Sequence, residues 1–165
     1  MRSHGSTRHR SFPDAGRVKL VVLRVGKGRT RWADEACGDY AERIARHLKI
    51  EEQVIATARS IEDESEALLS KIKDRDRLVV LDPRGTQVTT EELAAAVSDA
   101  TRIGAGRLVF AIGGPFGHAP ATRTRAWKEL ALSRLVLNHE LARVVLYEQL
   151  YRVTDILWGG RVYHH

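Results

Sequence analysis

The sequence predicts a single α/β domain built around a mainly parallel β-sheet. Short runs of β-branched and aliphatic residues alternate with amphipathic segments along most of the chain, which is the pattern of successive strand-helix units. A chain of 165 residues is the size of one domain, so a second independent core is not expected. No internal repeat and no linker divides the chain after residue 17.

The amino terminus differs in composition from the rest of the chain. Residues 1–16 are rich in Arg, Ser, His and Gly and have no apolar periodicity, which is typical of a segment that does not pack. We therefore expect residues 1–16 to be a disordered basic extension and residues 17–165 to form the domain. A short basic stretch of this kind is also compatible with an organelle-targeting segment.

The first half of the domain predicts two strand-helix pairs. The run VKLVVLRV at 18–25 predicts a buried strand that ends at Gly26. A helix follows at 30–48, with Thr30 as its cap, and a spacing of four predicts its inward face. That face consists of Trp32, Ala36, Tyr40, Ile44 and Leu48. A short strand at 52–57 and a helix at 62–73 complete this half.

The second half continues the alternation. A strand from Arg77 should end at Asp82-Pro83 and Gly85, because proline and glycine interrupt a β-ladder. Glu91 and Glu92 at the start of the next helix suit the positive end of its dipole. The remaining elements are a helix at 90–103, a strand at 107–112, a short helix at 120–128, a strand at 133–137 and a long helix at 139–157.

Composition and charge exclude some classes of protein. No apolar run approaches the roughly 20 residues that span a bilayer, so we do not expect a membrane protein. The net charge is +6, which favours a polyanionic partner such as RNA, although half of it lies in residues 1–17. The single cysteine, Cys37, indicates a reducing compartment. We expect a cytoplasmic protein, or an organellar one if the extension is a targeting segment.

Candidate functional residues follow three of the predicted strands. Ligands of parallel sheets bind beyond the carboxyl ends of the strands, which directs attention to the segments after Leu81, Ile112 and Leu137. The turn at 113–117, GGPFG, follows one of these strands. It is either a loop whose backbone approaches a ligand or a tight turn shaped by Pro115, and its spacing matches no familiar nucleotide loop.

The last helix carries polar residues that could act chemically. Asn138 is suited to cap it and places His139 at the edge of the sheet, where an imidazole could move a proton or simply satisfy the helix start. Glu148 and Arg152 are four residues apart and predict a structural ion pair. The helix is apolar around most of its circumference, which predicts burial against a partner subunit as well as its own sheet.

The terminal Tyr163-His164-His165 is either a frayed end or a docked catalytic tail. No Cys or carboxylate at ligand spacing accompanies these histidines, so no metal site is expected.

Four motifs in this order resemble the RlmH family of SPOUT methyltransferases. They are LVVLDPRG at 78–85, AIGGPFGH at 111–118, LSRLVLNHELARVVLYEQLYR at 132–152 and the terminal YHH. The resemblance extends from Val18 to His165 and is more specific than any single motif. It implies a trefoil-knotted α/β fold and a homodimer whose active site is shared between subunits. The knot is a feature that the hydrophobic pattern does not predict.

The resemblance also implies an activity and a set of site residues. The family methylates N3 of a pseudouridine in large-subunit ribosomal RNA, using S-adenosyl-L-methionine, so the partners would be rRNA or the assembled ribosome. By motif match, the cofactor would contact Leu81, Gly113, Gly114, Ser133, Arg134, Leu135, Val136, Leu137 and Asn138. The candidates for holding the target base are His139, Arg152, Tyr163 and His164. Phosphate contacts could come from Arg123, Arg125, Lys128 and Arg134.

Two other functions remain as alternatives. A non-catalytic RNA-binding α/β domain would need aromatic platforms or a strong basic stripe, and neither is evident in the sequence. A Rossmann-like nucleotide-binding enzyme would need a phosphate-binding fingerprint after the first strand, which instead ends in Gly26-Lys27-Gly28. The methyl transfer to RNA that the resemblance implies therefore remains the preferred interpretation.

Overall fold

The computed structural model describes residues 16–26, 28 and 30–160. These residues form five strands and five helices. The elements are, in chain order, β1 (Lys19–Val25), α1 (Arg31–Ile44), β2 (Ile50–Ile55), α2 (Ile61–Leu69), β3 (Arg77–Gln87), α3 (Thr90–Arg102), β4 (Arg107–Ile112), α4 (Pro120–Arg125), β5 (Lys128–Ala131) and α5 (His139–Thr154). A π-helical turn, Asp155–Gly159, follows α5. The predicted extension at 1–16 lies outside the described residues except for Gly16.

The five strands make one parallel sheet in the order β2-β1-β4-β3-β5. The three central strands β1, β4 and β3 are almost completely buried along the parts that pair with one another, as expected for a parallel sheet covered on both faces. The predicted α/β architecture is therefore confirmed.

Alternate residues of the central strands supply two cores. On one face, Leu20, Val22 and Phe110 pack with buried residues of α1, α3 and α5. On the other face, Val21 and Val109 pack with residues of α2. This alternation follows from the two-residue period of a β-strand.

The sequence placed some boundaries incorrectly. Strand β3 does not end at Asp82 but continues to Gln87, with a register irregularity between Leu81 and Thr86 in its pairing with β5. A Cβ at Gly85 would lie 2.8 Å from the backbone carbon of Leu130, so glycine lets β5 cross close to this irregular segment. The glycine marks a close approach rather than the end of the strand.

The strand predicted at 133–137 is wrong. The strand in this region is β5, which begins five residues earlier than predicted, and the short helix before it ends at Arg125 instead of 128. Residues 132–138 are an irregular loop in which Leu135 and Val136 are 75% and 83% exposed. The aliphatic run resembles the sequence of a buried strand, but the side chains of Leu135 and Val136 do not pack into a core.

The inward face of the first helix was predicted correctly only in its second half. Ile44 and Leu48 are buried as predicted, but Trp32 is half exposed, and the buried positions in the first half of the helix are Ala33 and Cys37. Thr30 occupies the cap position, but its hydroxyl donates to Glu140 at 2.8 Å instead of capping the helix. The hydroxyl of Thr30 thus bonds a residue of α5 in place of a backbone N–H in the first turn of α1.

The last helix is covered largely within its own chain. α1 packs against one side of α5 and α3 against another, and Leu146, Leu150 and Val153 are completely buried between them and the sheet. Most of the apolar circumference is therefore explained without a partner, and Leu141 and Ile156 remain exposed.

Candidate active site

A cavity of about 330 Å³ lies at the carboxyl ends of β3 and β4 and at the start of α5. Its walls come from three separate parts of the chain: the end of β3, the segment after β4 and the loop before α5. This is the edge at which parallel sheets bind ligands. The lining residues are Leu81, Asp82, Pro83, Ile112, Gly113, Gly114, Pro115, Gly117, His118, Leu132, Ser133, Leu135, Val136, Leu137, Asn138, His139 and Ala142.

The cavity brings together most of the residues that the motifs had singled out. All the predicted cofactor residues except Arg134 line it, and so does His139. Arg134 is exposed beside its lining neighbours Ser133 and Leu135. Arg152 does not line the cavity, and the predicted Tyr163 and His164 lie outside the described residues.

The glycine-rich segment 113–117 is a tight turn that forms one wall. Gly117 donates its backbone N–H to the carbonyl of Gly114 at 3.0 Å, and Gly117 has a φ of 74°, which favours glycine. A Cβ at Gly113 would lie 2.9 Å from the carbonyl oxygen of Gly117. The segment is therefore a tight turn, and it can also be a loop whose backbone approaches a ligand, because the turn exposes its backbone to the cavity.

The loop 132–138 forms the opposite wall and ends at a helix cap. The Ser133 hydroxyl accepts from the backbone N–H of Leu135 at 2.9 Å. The Asn138 side chain accepts from the backbone N–H of Leu141 at 2.9 Å, which confirms the predicted cap. Asn138 therefore fixes the point at which the loop becomes α5 and places His139 at the cavity.

Asp82 forms a charged edge of the cavity that the sequence reading missed. It accepts from the backbone N–H of Arg84 at 2.8 Å and from the side chains of Arg84 and Arg123. Burial would raise the pKa of Asp82, but these hydrogen bonds outweigh burial and hold its pKa well below the usual range. Arg123 also pairs with Glu129 at 2.7 Å. Its guanidinium is therefore bonded to two carboxylates and is not available to bind a phosphate.

His139 lies beside the segment that connects β1 and α1. A Cβ at Gly28 would be 3.4 Å from His139 Nε2 and 3.1 Å from Glu140 Oε1. Arg24 donates to the carbonyl oxygens of Gly26 and Gly28, at 3.2 and 3.0 Å. The small residue at 28 thus allows this segment to approach the first turn of α5 closely.

Comparisons with known proteins agree with this geometry. The family model described as "Predicted SPOUT methyltransferase" matches residues 18–164. The chain belongs to the SPOUT methyltransferase family. It is 40% identical to a protein of Geobacter metallireducens named Ribosomal RNA large subunit methyltransferase H, over 90% of this chain and 99% of that one.

Further relatives carry the same name. A protein of Solidesulfovibrio magneticus is 40% identical over 88% of this chain and 98% of its own length. One from Geobacter sulfurreducens is 38% identical over 90% of this chain and 100% of its own. The predicted SPOUT-type fold and methyltransferase activity are confirmed, and a methyltransferase implies a methyl donor. The non-catalytic and Rossmann-like alternatives are thereby set aside.

A buried cluster of charges holds the active-site end of α5 in this SPOUT methyltransferase. Arg143 donates to Glu52 at 2.9 Å and to Asp34 at 2.7 Å, and Tyr147 donates to Glu52 at 2.7 Å. Burial and the neighbouring Glu52 carboxylate raise the pKa of Tyr147 above its ordinary value, so it stays protonated. Arg24 also donates to Glu52, at 2.8 Å. The cluster joins β1, β2, α1 and α5.

Arg152 lies far along α5 from the cavity. It pairs with Glu148, which confirms the predicted ion pair. His139 and Arg152 are separated by 13 positions of one continuous helix, or about 20 Å at 1.5 Å per residue. One protomer therefore does not bring its own His139 and Arg152 together.

A second cavity of the SPOUT methyltransferase, of about 510 Å³, lies between α3 and α5. It shares Leu81 and Leu132 with the first cavity, but Glu91 is the only charged residue among the described residues that line it. The chemistry-bearing side chains His118 and His139 line the first cavity instead. The first cavity is therefore the candidate active site.

Three further observations concern the cysteine, metal binding and membrane-spanning helices. Burial raises the pKa of Cys37 to about 11, so the thiol stays protonated near neutral pH and is a poor nucleophile. Among residues 16–26, 28 and 30–160, no cluster of His, Cys, Asp or Glu could hold a metal ion. No helix in that same part of the chain is long and apolar enough to cross a membrane.

Proposed function

We propose that this protein transfers the methyl group of S-adenosyl-L-methionine to N3 of a pseudouridine in large-subunit ribosomal RNA. The observation that carries the proposal is the convergence of three distant segments on one cavity at the carboxyl edge of the sheet. The relatives named Ribosomal RNA large subunit methyltransferase H cover almost the whole chain and supply the substrate class.

The cavity has features that fit the methyl donor. Its lining combines the exposed backbone of the 113–117 turn with the aliphatic side chains of Leu135, Val136 and Leu137. Backbone groups can hydrogen-bond the adenosyl portion, and aliphatic side chains can cover a planar base. Gly113 and Gly114 leave room for close approach, because neither carries a side chain.

The chain's task in this reaction is alignment and proton transfer. S-adenosyl-L-methionine, when bound, supplies an activated methyl group for in-line displacement by the N3 nitrogen of the base. Residues of the cavity walls must exclude water and hold the two reactants in line. His139 is the candidate to accept the N3 proton, because it lies at the cavity and a neutral imidazole has a nitrogen lone pair that can take a proton.

The position of Arg152 favours an active site shared between two subunits. Arg152 lies about 20 Å along α5 from His139 of the same chain, so a role at the target base requires the Arg152 of a second copy. The exposed aliphatic residues Leu135, Val136 and Leu141 offer apolar surface near the cavity that a second copy could cover. We therefore propose a homodimer in which Arg152, Tyr163 and His164 complete the partner's site.

The phosphate contacts are revised by the side-chain partners. Arg123 is paired with Asp82 and Glu129. Arg125 donates to the carbonyl of Lys73 at 3.0 Å. Lys128 is partly buried and its Nζ lies over the Trp127 ring, 4.8 Å from the ring centroid. Arg134, in contrast, is exposed beside the cavity, and it is the best candidate of the predicted four for an RNA phosphate.

Mass spectrometry of ribosomal RNA tests the activity directly. RNA from cells that lack this protein should contain no N3-methylated pseudouridine at the affected site, and the intact gene should restore it. Arg152→Ala and deletion from Tyr163 onward should each fail to restore the methyl group. Glu148→Gln removes the ion-pair partner of Arg152 but keeps Arg152 itself, and it serves as the matched control. Persistence of every methylated pseudouridine in the deletion strain would refute the proposal.

Light scattering tests the dimer separately. A homodimer should have about twice the mass of one chain, and mixing inactive Arg152→Ala with inactive His139→Ala protein should restore activity through mixed dimers. A monomeric and fully active protein would contradict the shared site.

A further inference from the structure

The connection between α2 and β3, residues 70–76, carries exposed positive charge. Lys71, Lys73 and Arg75 alternate along it, and all three are exposed. Neither lysine has a side-chain hydrogen bond or ion pair in the part of the chain that the structure describes. Arg75 donates to the backbone carbonyl of Gly104 at 2.8 Å, and a neutral carbonyl does not neutralise the guanidinium charge. These three side chains form a basic patch, which we call the α2–β3 patch.

Hydrogen bonds fix the backbone that presents the patch. Arg107 donates to the carbonyl of Lys71 at 2.7 Å, and Arg125 donates to the carbonyl of Lys73 at 3.0 Å. The Asp76 carboxylate accepts from the backbone N–H of Lys73 at 2.8 Å, and Asp76 is itself buried and paired with Arg107. A fixed backbone loses less conformational freedom when its side chains bind a partner, so the patch is better prepared for binding than lysines on a free loop.

The charge of this region stays positive when its acidic residues are counted. The α2–β3 connection and the two arginines that bond its carbonyls contain five cations, Lys71, Lys73, Arg75, Arg107 and Arg125, and two carboxylates, Asp74 and Asp76. The resulting charge of +3 is as large as the net charge of all residues after 17, because the other half of the total of +6 lies in residues 1–17. No basic stripe is evident in the sequence, since these residues come from three separate segments.

The patch and the candidate active site lie at opposite edges of the sheet. β3 starts at Arg77, directly after the patch, and reaches the cavity at Leu81, which places roughly 15 Å between them at about 3.3 Å per residue. α2 packs on one face of the sheet through Leu68, and α5 packs on the other face through Leu146. A second copy that approaches α5 therefore leaves the patch exposed. The patch is too far from the cavity to touch the reacting atoms, but a large substrate can contact both.

We propose that the α2–β3 patch binds backbone phosphates of the ribosomal RNA away from the base that is methylated. The inference rests on the proposed function, because that function supplies the RNA. RNA is the partner that fits, since its phosphates are repeated negative charges and Lys and Arg are their usual contacts. Phosphate contacts orient a nucleic acid without reading its sequence. The patch therefore contributes affinity and orientation, whereas the residues of the cavity carry out the reaction.

Methylation kinetics with ribosomes from cells that lack this protein test the patch. A Lys71→Ala, Lys73→Ala double variant should raise the KM for ribosomes on the order of tenfold at low salt. Its kcat at saturating ribosomes and its Kd for S-adenosyl-L-methionine should stay unchanged, because neither residue lines the cavity. The matched control is an Arg46→Ala, Lys49→Ala double variant, which removes two exposed cations before β2 and should change the KM far less.

The salt dependence of binding gives a second readout. Each phosphate contact contributes about 0.7–0.9 to the slope of log K against log salt concentration, so the patch variant should bind ribosomes with a slope shallower by roughly 1–2. Equal changes in the patch variant and in its control would show that only total charge matters, and this result would overturn the proposal. An unchanged KM and slope in a folded patch variant would overturn it as well. Failure of the wild-type protein to methylate ribosomes would instead refute the proposed function.

Cross-linking distinguishes RNA from protein as the partner of the patch. Lys71→Cys introduces an exposed thiol that can carry a photoreactive group, whereas Cys37 is buried and should not be labelled. Cross-links to ribosomal RNA support the proposal. Cross-links to ribosomal proteins alone, or no cross-links at all, would contradict it.

Discussion

Replacing Gly113 with alanine tests whether the shape of the 113–117 turn determines binding of the methyl donor. The new Cβ would lie 2.9 Å from the carbonyl oxygen and 3.0 Å from the carbonyl carbon of Gly117. Both contacts are with backbone, so no side chain can rotate away and the turn itself must shift. Overpacking of this kind costs about 1–3 kcal/mol, and for a domain of this size each kcal/mol lowers Tm by about 2–4 °C.

The effect on binding should be comparable to the effect on stability. A shift of a few tenths of an ångström moves the backbone that lines the cavity, and we expect the Kd for S-adenosyl-L-methionine to rise by on the order of tenfold or more. Gly38→Ala is the matched control, since a Cβ there meets nothing within 4 Å. In a helix interior that change should stabilise the fold by up to about 1 kcal/mol and leave the Kd unchanged. Wild-type affinity in Gly113→Ala would refute the reasoning.

Three further predictions concern buried groups. Arg143→Met removes one of the two arginines that bond the partly buried carboxylate Glu52, so the free energy of unfolding in urea should fall by about 1.5–3 kcal/mol. Arg31→Ala, at an exposed pair, should change it by less than about 1 kcal/mol, and equal losses would contradict the argument. Burial raises the pKa of Cys37 to about 11, so Ellman's reagent should not react at pH 8 until guanidinium unfolds the protein. Rapid reaction of the native protein would show that the thiol is accessible. The arginine partners of Asp82 lower its pKa in the folded protein below the ordinary value of 3.8, despite burial. The ionised carboxylate therefore stabilises the fold fully above about pH 4, and this stabilisation is lost as the pH falls from there towards the folded-state pKa. Asp82→Asn should therefore lose stability less steeply between about pH 4 and pH 2 than the wild-type protein, and an unchanged slope would disprove the assignment.

The architecture was largely predictable because the signals were local. The apolar run at 18–25 and the capping residues of the helix at 90–103 are signals contained within a single element. The alternation of such elements implies a parallel sheet. The failures occurred where a distant contact overrides the local signal. Gly85 looks like the end of a strand, but it permits the close passage of β5. Thr30 resembles a cap, but it donates to Glu140, 110 residues away.

The active-site candidates were predictable in part for a different reason. The motifs identified the 113–117 turn and the 132–138 loop, and the rule for strand ends placed both at one edge of the sheet. The pattern of Leu135 and Val136 was misread as a strand because exposed aliphatic residues beside a cavity carry the same letters as buried ones. No periodicity marks Asp82, since its importance comes from burial and from its hydrogen bonds with Arg84 and with Arg123 of α4.

The sequence by itself determined the class of fold, the segments that end at the ligand edge and, through its motifs, the family. These depend on periodicity, turn residues and ordered motifs, all of which are written along the chain. Only the tertiary structure decided which side chains meet: Glu52 with Arg143, Asp82 with Arg123, and Ser65 with Thr122. The physical reason is that pairing, burial and the loss of water depend on distances between residues that may be a hundred positions apart.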